Sequence, residues 1–182
     1  MQQNSTASLP THGLRWGAIL GVITIALTTV MYAVDYTLMI NWKVSLLLNA
    51  IFIGFVIFAG FDFRKSAGGF LAYSKAFQHG IIVFAVSGLI STLFSLVLYT
   101  IVDPELPAKL TESAIETTTA MLEGMGVSED AIDEAIEKSR EETAKRFTLT
   151  GTLTSYAVAL IVYAVLALIT AIFVKKNEPM EM

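Results

Sequence analysis

His12 and His79 are the only histidines in the chain, and cysteine is absent. Two imidazoles can begin a metal site, but structural and catalytic sites recruit three or four ligands. No carboxylate is placed with them by spacing, so neither a metal nor another cofactor is expected. Glu129, Asp130, Asp133, Glu134 and Glu137 can gather divalent cations loosely. The same run is what a solvated helix face looks like, and that reading is preferred. Met121 and Met125 are four apart and share a helix face; two thioethers in an apolar stripe read as packing before copper binding. Asn49, alone among apolar neighbours, is placed to hydrogen-bond Tyr32 or Asp35 rather than a substrate. The chain shows no Ser/His/Asp set, phosphate loop or paired carboxylates in a dry pocket, and an enzyme is not expected.

The elements that must position these residues are apolar. Of 182 residues 54% are hydrophobic and only 15% charged, where a soluble domain carries about 25% charged. The excess lies in four long runs, which makes an all-α membrane protein with four transmembrane helices the expected fold. The runs are about 14–34, 44–61, 80–102 and 149–174. Residues 1–13, polar and holding Pro10 and Gly13, read as a disordered tail ahead of one membrane domain, 14–182. The first run is too long for a signal peptide and no small-x-small site follows it, so it reads as a retained span. The missing cysteines exclude disulfide and thiol chemistry, and nothing is basic enough for nucleic acid.

Two segments between the runs carry pattern. In Ser66–Gly80, Gly68 and Gly69 break any helix, and Phe70, Tyr73 and Phe77 then recur at helical spacing. This predicts an interfacial elbow, either a simple re-entry or a docking surface for a lipid headgroup or partner. Residues 103–147 read as an extramembrane helical hairpin between spans 3 and 4. Asp103 and Pro104 start its first arm, and Leu106, Leu110, Ala114, Met121, Leu122 and Met125 give it an apolar stripe. Gly124 and Gly126 break the stripe, Ser128 caps the second arm, and that arm is expected to run on into the fourth span. The hairpin holds twelve acids against five bases. Its stripes need a surface: each other, the bundle rim, the bilayer or a second copy.

Gly21, Thr24, Thr28 and Tyr32 are spaced 3, 4 and 4, as are Gly88, Ser91, Ser95 and Tyr99. Each set lies on one helix face and is followed by an aspartate, Asp35 or Asp103. Small and hydroxylated residues let membrane helices approach, so both faces are candidates for helix packing. A parallel two-hairpin repeat is a possible origin of the match. Four spans put both termini on one side with Arg15, Arg64, Lys65, Lys75, Lys175 and Lys176. The opposite side also has six bases, Lys43, Lys109, Lys138, Arg140, Lys145 and Arg146, so the count ties. The first six sit in short flanks, which count most, and this places the termini in the cytoplasm and the hairpin outside.

The arrangement resembles a bacterial family of small four-span membrane proteins, domain of unknown function four-one-nine-nine. The resemblance rests on Gly68 and Gly69 through Ala76, Phe77 and Gly80, on Gly88 to Thr92, on Tyr99 with Val102 to Leu106, and on Met121, Gly126 and Ile132 of the acidic hairpin. It implies the four-span architecture and no activity; a bacterial cytoplasmic (inner) membrane is the expected location. The first span ends in Asp35 and Tyr36, without the proline that follows Asp103.

Two functions remain open on the sequence. One is a non-enzymatic protein of the inner membrane that acts by association. Its partners would be lipid, a second copy, or an unknown protein bound through 103–147. The other is a small transporter or channel subunit whose pathway forms on oligomerisation. Dry packing of Thr24, Thr28, Ser91 and Ser95 favours the first, and a wet cavity at them favours the second.

Overall fold

A computed structural model describes residues 8–178 of the chain. Across them the protein is all-α. α1 spans Leu9–Val34, α2 Trp42–Ser66, α3 Tyr73–Val97, α4 Leu106–Gly124, α5 Glu129–Arg146 and α6 Leu149–Val174. α1, α2, α3 with its extension to Val102, and α6 are long and apolar enough to cross a membrane. Their outer surfaces expose Val22, Val34, Leu46, Phe58, Ile161 and Phe173. Such side chains are at home against lipid tails, because each helix satisfies its own backbone.

The helices begin and end where local chemistry allows, which differs from the apolar runs. α1 starts at Leu9 rather than at residue 14, with Pro10 in its first turn, where a missing N–H costs nothing. Residues 9–13 therefore belong to the first span; the remainder of the expected tail, 1–7, lies outside the described residues. Asn41 caps α2 by accepting from the N–H groups of Lys43 and Val44. α2 continues past Phe61 to Ser66, because Phe63 is buried and Arg64 donates to the Val174 carbonyl at 2.9 Å.

Gly68 and Gly69 then take φ of +88° and +89°, a region closed to most side chains. Leu71 follows, exchanging both backbone hydrogen bonds with Lys176. α3 begins at Tyr73, not at Gly80, and the expected interfacial helix is its first two turns. Phe70 precedes the helix; Tyr73 donates to the Leu168 carbonyl of α6 at 3.1 Å, and Phe77 packs against the core. At its far end α3 widens into a π turn, Leu98–Val102, closed by the Asp103 N–H on the Leu98 carbonyl.

α3 is the central helix, packed chiefly on α1 and α6, while α2 leans mainly on α6. The inner core is Leu20, Val56, Val83, Phe84 and Ala167. α4 and α5 fold back on each other, with Ile132 buried and Arg140 reaching Glu112 at 3.4 Å. α5 does not run into α6. The chain breaks at Phe147, and Thr148 caps the new helix by accepting from the Gly151 N–H. The expected Ser128 cap makes no side-chain hydrogen bond.

Candidate functional site

The two histidines meet. His12 lies one turn into α1 and His79 two turns into α3, and both rings are buried, at 8% and 1% exposure. His12 Nδ1 is 2.9 Å from His79 Nε2. Its other nitrogen, Nε2, stands 3.2 Å from Asp62 Oδ2 on α2 and accepts from the Trp16 indole N–H at 3.2 Å. Phe63 stacks on His79 at 5.1 Å between centroids, with 7° between planes. The order is thus Asp62, His12, His79, with the central imidazole separating the other two. The groups lie along a line rather than around a point, and among the described residues no three His, Cys, Asp or Glu side chains could hold a metal ion. Sequence reasoning missed this cluster because it placed His12 in the tail and ended the second run at residue 61, just before Asp62. The available signal was His12 and Trp16 four apart ahead of a glycine series.

That series is Gly13, Gly17 and Gly21. Cβ atoms built at these positions would lie 2.8 Å from Ile82, 2.8 Å from Val86 and 2.9 Å from Ile90. Contacts advancing together on both helices mean that α1 and α3 run parallel, in backbone-close packing that only glycine permits. Gly88 does not repeat this pairing: it faces α6, where a Cβ would fall 2.6 Å from the Tyr163 ring.

The hydroxyls beside these glycines turn back on their own helices. Thr24 donates to the Leu20 carbonyl and Ser91 to the Ser87 carbonyl, both at 2.9 Å. Together with Asn49, Ser87 and Tyr163 they line a partly open cavity of about 190 Å³. Thr28 and Ser95, half-buried, do not line it. Asn49 does not reach Tyr32 or Asp35 as expected; it donates to the Ser45 carbonyl one turn back.

Tyr32 pairs instead with Asp103. Its hydroxyl donates to Asp103 Oδ2 at 3.2 Å, and Lys109 Nζ lies 3.4 Å from the same oxygen. Asp103 Oδ1 accepts from the N–H groups of Glu105 and Leu106, starting the hairpin. Burial alone would raise this carboxyl, but the Tyr32 hydroxyl, the Lys109 ammonium and the Glu105 N–H hold it below the usual carboxylate range. Asp35 is held low as well, by the Thr37 hydroxyl and N–H. Tyr99 meets Phe147 edge-on at 5.1 Å. Both tyrosines thus gather at the hairpin base, where Leu98, Leu106 and Leu110 form a separate core.

Beyond that base the hairpin is polar. From Leu110 to Glu137 it carries eight acids and no base, while its five bases are Lys109 on the first arm and Lys138, Arg140, Lys145 and Arg146 on the second half of the other. Leu106, Leu110, Thr111 and Ile115 are buried, whereas Met121 and Met125, expected in the stripe, are 65% and 66% exposed near the tip. A family model described as a protein of unknown function (DUF4199) matches residues 15–176. No curated protein and no solved structure matches the chain.

Proposed function

The chain belongs to the DUF4199 family of unknown function, and from that premise we propose a non-enzymatic multi-pass membrane protein that acts by association. The four spans hold up an acidic hairpin, and the hairpin docks a basic amphipathic segment of a partner protein. The observation that carries this reading is the division of charge along the hairpin. Lys109, Lys145 and Arg146 lie toward the base and Lys138 and Arg140 midway along α5, while the stretch from Leu110 to Glu137 is purely acidic around exposed Met121 and Met125. Methionine is adaptable packing material for an apolar helix face, and an acidic rim recruits a cationic one. The six bases in short flanks, Arg15, Arg64, Lys65, Lys75, Lys175 and Lys176, tie in number with those of the other side but weigh more by position, and they support termini in the cytoplasm of a bacterial inner membrane and a hairpin outside it.

The test uses the purified protein in nanodiscs and a labelled Lys/Leu amphipathic helical peptide, followed by fluorescence anisotropy. Replacing Glu112, Glu116, Glu123, Glu129, Asp130 and Asp133 by their amides is expected to weaken binding at least about tenfold. Raising salt from about 0.05 to 0.5 M is expected to weaken the wild type and barely move the variant. Binding that ignores both the amide variant and Met121→Ser with Met125→Ser would refute the docking role.

A second reading, a small transporter or channel subunit built by oligomerisation, is favoured by one observation. Thr24 and Ser91 border the 190 Å³ cavity, which has volume for a few waters.

A further inference from the structure

We propose that Asp62, His12 and His79 form a proton-binding site that joins α1 to α2 and α3 in one of two exclusive hydrogen-bond patterns. The inference is independent of the docking role. It rests on one atom, His12 Nε2, which has a single in-plane position to offer. Two partners stand 3.2 Å from it: the Trp16 indole N–H, which can only donate, and Asp62 Oδ2, which as a carboxylate can only accept.

With His12 neutral, Nε2 keeps its lone pair and accepts from Trp16. The ring proton then sits on Nδ1 and is donated to His79 Nε2, 2.9 Å away. Asp62, whose side chain is 51% exposed, faces water. When one proton arrives from water, an N–H bond forms at Nε2 and the Trp16 N–H loses its acceptor. The new imidazolium donates to Asp62 through Nε2 and still donates to His79 through Nδ1. Releasing the proton to water restores the first pattern. His79, sealed at 1% exposure and stacked on Phe63, remains the neutral acceptor throughout.

Among the described residues no other charge is aimed at the cluster. On α2, Arg64 is turned to the Val174 carbonyl and the Phe61 ring. On α3, Lys75 reaches Gln78. Lys175 and Lys176, after α6, lie over the rings of Tyr73 and Phe70. Arg15 on α1 and Lys65 on α2 are exposed. Asp62 is thus the counter-charge for the imidazolium. A buried ionisable group within a span is costly to keep and marks function by default.

The chain holds only two histidines and two tryptophans, so each state can be read directly. In nanodiscs, ring-¹⁵N-histidine NMR between about pH 4.5 and 9 is expected to show one imidazole becoming doubly protonated while the other stays singly protonated. In a Trp42→Phe background, Trp16 emission should fall with the same midpoint, because an imidazolium quenches a neighbouring indole. Two rings titrating independently near pH ~6.5, or neither changing over the range, would overturn the site. So would a Trp16 response that survives His12→Gln. The NMR reading uses unaltered histidines and holds even if a variant fails to fold.

Discussion

Gly17→Leu is expected to unseat α1 and to cost the bundle much of its stability. A Cβ at Gly17 would lie 2.8 Å from the Val86 side chain and 3.0 Å from the Val83 carbonyl. A side chain can turn away, but a helix carbonyl cannot, so α1 and α3 must separate. Forcing extra atoms into a packed interior costs roughly 1–3 kcal/mol for modest additions, and leucine also breaks the neighbouring contacts of Gly13 and Gly21. The matched control is Gly54→Leu on α2, where nothing lies within 4 Å and the change should stay within about 0.5 kcal/mol. Thermal unfolding of both variants in detergent checks this. Equal melting temperatures would show that α1 and α3 are not in backbone contact.

Leu110→Asp is expected to release the hairpin while leaving the four spans assembled. Leu110 is 1% exposed, in a core with Leu98 and Leu106 that is separate from the core among the spans. Truncating a buried leucine costs about 2–5 kcal/mol, and an unpaired carboxylate there is worse. Limited proteolysis should cut between residues 103 and 148 far faster than in wild type, with little change in bundle unfolding. A bundle that melts together with the hairpin would contradict the separation.

Acid should move the wild type the same way. Asp103 has its folded-state value below the ordinary one, so its ties to Tyr32 and Lys109 contribute fully above about pH 3.9 and are lost as pH falls through the lower folded value. Proteolysis of the hairpin should therefore quicken only at strongly acidic pH.

The spans were legible because lipid demands long apolar runs, and four such runs stand out in the sequence. Their ends were not, because those ends are polar residues that face one another. His12, Asp62 and His79 are 50 and 17 positions apart along the chain, and no periodicity joins them. The small-residue pattern pointed to close packing, and Gly21 does meet Ile90, yet Gly88 takes Tyr163 of α6 instead; spacing names a face without naming its partner. Asn49 was expected to reach across, but α2 stands off from α1 and the amide finds the Ser45 carbonyl in its own helix. The apolar stripe of α4 was read through to Met125, whereas burial stops at Ile115. Past that point α5 brings Ile132 into the hairpin but leaves Met121 and Met125 uncovered.

The most direct test of an acidic hairpin presented for docking outside the cell is cysteine accessibility, for which the cysteine-free chain is a ready background. Single cysteines at Glu134, Ser74, Thr24 and Ser91 would be exposed to an impermeant thiol reagent on intact cells. Labelling is expected at Glu134, at Ser74 only after permeabilisation, and at neither Thr24 nor Ser91. Labelling of Ser74 but not Glu134 on intact cells would contradict the account, and labelling at Thr24 or Ser91 would replace association by a water-filled path.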